Sequence, residues 1–378
     1  MIYDSYKYMI KTRASGVLVA LVLFVSCEDV SEEPFSPDLP DKEMRTEIKV
    51  SSVVRSIETR APYEGTTATD FTALVPLSDT PGDYETYHWE QLLGGSHGTI
   101  TFNGTSSAGF DPPRYYPHAT DDIAMFGLYP ATGWTVGNYN SITNITGNVD
   151  LMLAKQTTSN KDATTPPQLI FNHELTWLDM TVKAESDYAE KAWGGITSMK
   201  IYTLKKTGPW PEDATAGEQT SYDYWSPVLL KVDPRPTTAY AGKSEVEKDQ
   251  PWGISCWTKG NDGKEVEITG HTEVSLSLTT GGTKAYCLAP PIIAPSTTAE
   301  ASPLAVCYYL GINTKNHQSA IYIPLEAKTT GGQPVTLQAG ESTAGMKFAV
   351  TLVFKAAAIN GEVTIEDWKE AGIIEGSI

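Results

Sequence analysis

The residues GGSHG at 94–98 have the G-x-S-x-G spacing of a hydrolase nucleophile, with Ser96 as the reacting hydroxyl. That chemistry needs a strand before the serine and a helix after it, because the sharp turn between them exposes the hydroxyl. Here the next residues, TITFNG at 99–104, alternate as a strand does. The sequence therefore predicts a hairpin loop with an exposed His97, and the hypothesis of a lipoprotein hydrolase rests on Ser96 alone.

Metal and cofactor chemistry has no recognisable motif in the chain. The histidines are scattered, and there is no HExxH, no P-loop and no G-x-G-x-x-G. Two stretches could contact calcium, namely Asp121-Asp122 and Asn261-Asp262-Gly263, but they lack the spaced oxygen ligands of a loop site, so turns are the better interpretation. We expect no enzyme activity, no cofactor and no metal.

Three cysteines lie in apolar or aromatic surroundings: Cys256, Cys287 and Cys307. No CxxC is present, which argues against a zinc site. Buried structural thiols are one interpretation, and a single disulfide that leaves the third thiol over is the other. The sequence leaves the pairing open.

Several tryptophans could stack on sugar rings, which would make the chain a surface glycan-binding protein. In a β-sandwich, aromatic residues more often pack in the core or between domains. The tryptophans expected to be most exposed are Trp210, in GPWPED, and Trp252, in DQPWG.

The composition predicts an all-β chain. The formal net charge of −18 argues against nucleic-acid binding, which needs a basic face. Turn residues separate short alternating runs, and no stretch has a long helical period, which favours antiparallel sandwiches. DYAEKAW at 187–193 predicts one short helix. The clearest alternating runs are TITFNG (99–104), IAMFGLYP (123–130), MTVKAES (180–186), EVSLSLTT (273–280) and MKFAVTLVFK (346–355).

The first 26 residues predict an export signal rather than part of the fold. A basic region with Lys7, Lys11 and Arg13 precedes an apolar run at 17–25 that is too short to span a bilayer. The run ends in FVSC, which resembles a bacterial lipobox with Cys27 as the lipidated residue. The alternative interpretation is an ordinary signal peptide with a chance cysteine, since Phe24 stands where leucine is usual.

Residues 27–60 predict a tether followed by a strand. EEPFSPDLPDKEMRTE at 32–47 is rich in proline and charge. The first part of IKVSSVVRSIET at 48–59 then alternates, with Ile48, Val50 and Val54 on one face. Arg55 lies within this stretch and Arg60 directly follows it. After the tether we expect an N-terminal β-sandwich domain at 61–186 and a C-terminal one at 187–378.

The order of several motifs resembles the fimbrillin family, the type V pilus subunits of Bacteroidia, including the minor-fimbrillin-like group. These motifs are the lipobox, TRAP at 59–62, PRYYPHATDDIAMFGLYP at 113–130, DLMLAK at 150–155 and QLIFNHELTWLDMTVKA at 168–184. The resemblance implies two tandem transthyretin-like sandwiches. It also implies a precursor carried to the outer membrane by a lipid anchor. The acidic residues after Cys27 resemble a surface-export signal, and the alternative is a solvated acidic tether.

The resemblance further implies processing and assembly. An arginine-specific protease would remove the leader with the first strand, at Arg60 by this pattern, with Arg55 and Arg45 as fallbacks. The alternative is that these arginines are exposed tether residues. A neighbouring subunit's strand would then fill the groove. The candidate donor is the tail at 361–378, with Val363, Ile365, Trp368 and Ile373 as anchors, and the alternative is a permanent edge strand of its own domain.

The function expected from the sequence is a surface pilus subunit or adhesion protein in a fimbrium at the cell outer membrane. Its partners would be other pilus subunits, an arginine-specific protease, the membrane through the lipid, and a surface receptor. A glycan-binding lipoprotein, whose leader is never cut, is the alternative.

Overall fold

Alternating apolar and polar residues form nearly every element of the chain, and the result is an all-β fold of sandwich type, as predicted. All residues described in the computed structural model belong to one compact unit. The described residues are 46–54, 70–78, 97–103, 107–116, 122–136, 140–143, 145–202, 229–232, 242–245, 253–294, 303–329, 331–356 and 359–366.

Eight strands form the first sheet, in the order β2-β4-β5-β1-β10-β9-β6-β3. They are β1 (Lys49–Val54), β2 (Asp70–Val75), β3 (Leu77–Ser78), β4 (Gly98–Asn103), β5 (Ala108–Asp111), β6 (Ile123–Tyr129), β9 (Met152–Ser159) and β10 (Gln168–His173). Strand β2 also pairs with β6, at Leu74 and Leu128, so the first sheet closes into a ring.

The inside of this ring is filled by large apolar side chains. Phe71 packs edge-on against Phe171, with ring centroids 5.1 Å apart, and Phe102 joins the same cluster. Strand β6 is buried on both faces, because Ile123 and Met125 point into the ring while Phe126 faces the second sheet's core. The two cores are therefore separated by only one layer of backbone.

The second sheet holds eleven strands, in the order β15-β12-β21-β22-β25-β24-β11-β19-β16-β17, with β18 on β12. They are β11 (Thr176–Ala184), β12 (Ile196–Tyr202), β15 (Ile254–Ser255), β16 (Trp257–Lys259), β17 (Glu265–Glu267), β18 (Thr269–Val274), β19 (Thr283–Ala289), β21 (Cys307–Thr314), β22 (Ile321–Lys328), β24 (Lys347–Phe354) and β25 (Ile359–Glu366).

Two smaller sheets hold the remaining strands of the described residues. One has the order β14-β13-β8-β7 and the other pairs β20 with β23. Their strands are β7 (Trp134–Thr135), β8 (Asn140–Thr143), β13 (Leu229–Val232), β14 (Gly242–Glu245), β20 (Leu304–Ala305) and β23 (Thr336–Leu337).

The predicted short helix is confirmed as α1 (Asp187–Trp193). Its N-cap is Ser186, whose hydroxyl accepts a hydrogen bond from the Ala189 N–H at 3.2 Å. The helix ends at Gly194, at φ 69°. Within the part of the chain that the structure describes, no helix is long and apolar enough to cross a bilayer.

Most of the predicted strands are confirmed, and one is partly wrong. In MKFAVTLVFK the alternation holds, since Phe348, Val350, Leu352 and Phe354 are all buried. EVSLSLTT at 273–280 is strand only to Val274. Beyond it a turn forms, in which the Gly282 N–H donates to the Thr279 carbonyl at 2.9 Å and hydroxyls bond locally.

The chain crosses from the first sheet to the second between β10 and β11. The residues at the crossing carry buried charge, because Glu174 and Asp150 are both buried and His173 Nδ1 lies 2.5 Å from an Asp150 oxygen. The division into domains at 61–186 and 187–378 stays a prediction.

The crossing makes stability depend on pH. Burial raises the pKa of Glu174 from 4.5 to about 7, against the opposing charges of Lys155 and His173. Because the folded chain holds this proton more tightly than the unfolded chain, the free energy of unfolding should fall as pH rises from about 4.5 to about 7 and level off above. The fall should be on the order of 3 kcal/mol. Urea unfolding across this range measures it.

Glu174→Gln should abolish this component of the pH dependence, since the amide does not titrate. Glu185→Gln, at an exposed position, is the matched control and should keep it. If both variants follow the wild-type pH profile, Glu174 does not carry the effect.

Candidate functional site

Strand β1 lies inside the first sheet, between two strands that are distant from it in sequence. It pairs antiparallel with β5 and parallel with β10, where the register runs from Ser51 opposite Gln168 to Val54 opposite Phe171. This is the one parallel pair among the described strands of that sheet. Parallel neighbours cannot be joined by a tight hairpin, so β1 pairs with a strand that is far from it in sequence.

The predicted inward face of β1 is confirmed. Ile48 and Val50 are 0% exposed, and Val54 packs against the same core from the rim. Lys49, on the other face, is exposed and lies 3.7 Å from a Glu47 carboxylate oxygen. At about 1.5–3 kcal/mol for each fully buried side chain, the two inward residues hold β1 with several kcal/mol.

Further hydrogen bonds add to this just before the strand and at its third residue. The Ile48 N–H donates to the Arg114 carbonyl at 2.8 Å, and the Tyr116 N–H donates to the Thr46 carbonyl at 2.9 Å. The Ser51 N–H and hydroxyl both donate to the Pro167 carbonyl, at 2.9 and 3.2 Å. The bonds fix the register, while the side chains supply most of the stabilisation.

Taking β1 away would leave the ring open between β5 and β10. Both strands would then present unpaired N–H and carbonyl groups along an edge, and the core around Ile48 and Val50 would meet water. Such an edge is a template for another strand. The site can therefore do one thing chemically: hold an extended segment by main-chain bonds and two apolar pockets.

The sequence missed one wall of this groove. Strand β5, AGFD, is short and gave no alternating signal. Gly109 of β5 is the residue in the sequence that could have indicated this wall. A Cβ there would lie 2.4 Å from a Glu47 side-chain oxygen, so β5 approaches the start of β1 closely.

The other chain end is also fitted into a sheet. Strand β25 lies between β24, antiparallel, and β22, parallel, with Val363 opposite both Val350 and Ala327 and with Ile365 opposite Phe348. The described part of the tail is thus an internal strand of its own chain. Trp368 and Ile373 lie outside the described residues.

The lipidation and processing residues also lie outside the described residues: Cys27, Arg45, Arg55 and Arg60. Arg55 follows the last residue of β1, and both Arg55 and Arg60 come before β2 begins at Asp70. A cut at either arginine would break the covalent connection between β1 and β2.

Among the described residues, the structure brings no side chains together for the other candidate chemistries. Ser96 lies outside the described residues, and the strand β4 begins at Gly98, where a nucleophile turn would need a helix. Among the described residues, no group of three His, Cys, Asp or Glu side chains could hold a metal. Trp257 donates its indole N–H to the Thr146 carbonyl at 2.8 Å, and Trp210 and Trp252 are not described.

Comparison with known proteins points to a single family. The model of the fimbrillin-like family matches residues 59–368. No curated protein matches the sequence.

Three solved structures are similar at low identity. A candidate cell adhesion protein from Bacteroides uniformis is 15% identical, with 87% of this chain and 100% of that chain covered and a TM-score of 0.46. A fimbrial protein from Bacteroides vulgatus is 14% identical, with 85% and 99% covered and a TM-score of 0.35. The tip fimbrial protein Mfa3 from Porphyromonas gingivalis is 10% identical, with 85% and 100% covered and a TM-score of 0.35. The assignment therefore rests on the family model, and the chain belongs to the fimbrillin-like family.

Proposed function

We propose that this fimbrillin-like subunit assembles by donor-strand exchange after proteolysis. An arginine-specific protease cuts after Arg60, or after Arg55, and β1 leaves the first sheet. A strand from another subunit then occupies the place between β5 and β10. The observation that carries the proposal is the position of β1, the first described strand, with a parallel partner inside a closed ring.

The lipid anchor and the surface receptor belong to the same proposal. Cys27 carries the lipid, so that the precursor reaches the outer membrane and is exposed at the surface. Each buried methylene of an acyl chain contributes about 0.8 kcal/mol, so several chains hold the precursor there until assembly. A receptor would be bound by the assembled fimbrium.

The tail supplies the donor strand in this proposal, and its four anchors fall into two groups. Val363 and Ile365 already pair in the second sheet, so they can donate only if β25 leaves β22 and β24. Trp368 and Ile373 follow β25, so they can donate while it stays. Hydrogen exchange at the β24 amides, before and after assembly, separates the two: exchange rises only if β25 leaves.

Digestion with an arginine-specific protease tests the processing step. We expect one early cut between β1 and β2 and then oligomers, detected by gel filtration and by N-terminal sequencing of the product. The double variant with Arg55→Lys and Arg60→Lys keeps both charges but offers this protease no cut between β1 and β2, so it should stay monomeric. Arg55→Lys alone should behave as the wild type.

If the early cut falls at Arg55 instead, Arg60→Lys alone should behave as the wild type. Digested wild-type protein that lacks β1 and stays monomeric at high concentration would contradict strand exchange.

A further inference from the structure

Cys256 and Cys287 face each other across neighbouring strands of the second sheet. Trp257 of β16 lies opposite Tyr286 of β19 in an antiparallel register, which places Cys256 opposite Cys287. Both side chains are 0% exposed and belong to one core. The structure holds both as free thiols.

The backbone around the pair suits a covalent bond. The Cys256 N–H donates to Met199, and its carbonyl accepts from Ile268, each at 2.9 Å, so neither group bonds to Cys287. Opposed residues of an antiparallel pair that are not hydrogen-bonded to each other have Cα atoms about 4.5 Å apart. Disulfides span Cα separations of about 4.4–6.8 Å, so the bond needs little backbone movement.

We propose that Cys256 and Cys287 form a disulfide in the exported protein. The Sγ–Sγ bond forms as the two thiols lose two protons and two electrons. The electrons pass to a disulfide oxidant, which in the cell is a thiol oxidase of exported proteins and in vitro is glutathione disulfide, reduced to two glutathione thiols. This inference rests on the proposed function, because export to the cell surface places the chain in the oxidising compartment that such bonds require.

The bond is made while the chain folds. Burial, and the neighbouring Cys287 thiol, raise the pKa of Cys256 well above its ordinary value, so the reactive thiolate is scarce in the folded protein. The closed bond links β19 to the segment around Cys256, which is itself hydrogen-bonded to Met199 of β12. Cys307 lies apart on β21, where its thiol donates to the Tyr308 carbonyl at 3.6 Å, and it serves as the matched control.

Peptide mapping of the full chain tests the proposal. The surface-extracted protein is denatured directly into N-ethylmaleimide and digested with trypsin without reduction. We expect peptide 249–259 joined to peptide 285–315, with maleimide on Cys307. Maleimide on both Cys256 and Cys287, or a cross-link through Cys307, overturns the proposal.

Refolding measures what the bond contributes. Wild-type chain refolded with glutathione disulfide should melt about 5 °C or more above the chain refolded with a reductant. Cys307→Ala should keep this difference and Cys256→Ala should lose it. An equal difference in both variants overturns the proposal, and the wild-type peptide map decides the matter without either variant.

Discussion

Val50→Asp should destabilise the first sheet by about 4 kcal/mol or more and should make the protein self-associate without any protease. Val50 is fully buried near the start of β1, so the variant loses the burial of an apolar side chain and places an unpaired carboxylate in the core. The simplest relief is for β1 to leave the ring, which frees the groove between β5 and β10. Urea unfolding and gel filtration measure the two effects.

Lys49→Asp is the matched control, because it puts the same carboxylate one residue away on the exposed face of β1. Because it exchanges the exposed ion pair with Glu47 for a like-charge contact, it should cost no more than about 1 kcal/mol and leave the protein monomeric. A peptide of residues 46–54 in excess should return Val50→Asp to a monomer by filling the groove, and a peptide of residues 361–378 should do so if the tail is the donor. Monomers of Val50→Asp that take up neither peptide would mean that β1 is merely structural.

The inward face of β1 could be predicted from the sequence, and its neighbours could not. Ile48 and Val50 alternate with polar residues, and that period alone identifies which side chains are buried. The pairing with Gln168 to Phe171 is a contact between distant segments, and no local pattern specifies it. The register comes from filling the ring with Phe171 and its neighbours, which only the folded chain shows.

The tail strand β25 shows the same limit, because its faces could be predicted from the sequence and its neighbours could not. Val363 and Ile365 alternate correctly for a strand, so the element was foreseen. Whether that strand pairs in its own sheet or in another subunit depends on the space between β22 and β24. This space exists because β23, which connects them along the chain, belongs to a different sheet. An alternating pattern describes a strand's faces and carries no information about its edges.

The 145–150 loop joins the two sheets, and its position depends on Gly147. The Gly147 carbonyl accepts from the Leu288 N–H of β19 at 2.7 Å, and the neighbouring Thr146 carbonyl accepts from Trp257. A Cβ at Gly147 would lie 2.4 Å from the Ser255 carbonyl oxygen, so the loop can approach β15 this closely only with glycine.

Gly147→Ala should therefore cost about 3 kcal/mol or more. The positive φ of +87° costs an alanine about 1 kcal/mol. The clash with backbone then pushes the loop away and weakens the hydrogen bonds to Leu288 and Trp257, at about 1 kcal/mol each. Urea unfolding gives the total, and hydrogen exchange at the Leu288 amide shows whether the loop has moved.

Gly263→Ala separates the two causes. Gly263 has a similar φ of +77°, but a Cβ there meets nothing within 4 Å, so this variant bears the conformational cost alone, about 1 kcal/mol. The excess loss in Gly147→Ala over Gly263→Ala is then what the contact between the loop and the second sheet contributes. Equal losses in the two variants would show that this contact does not hold the sheets together, and that the continuous core around Phe126 does so instead.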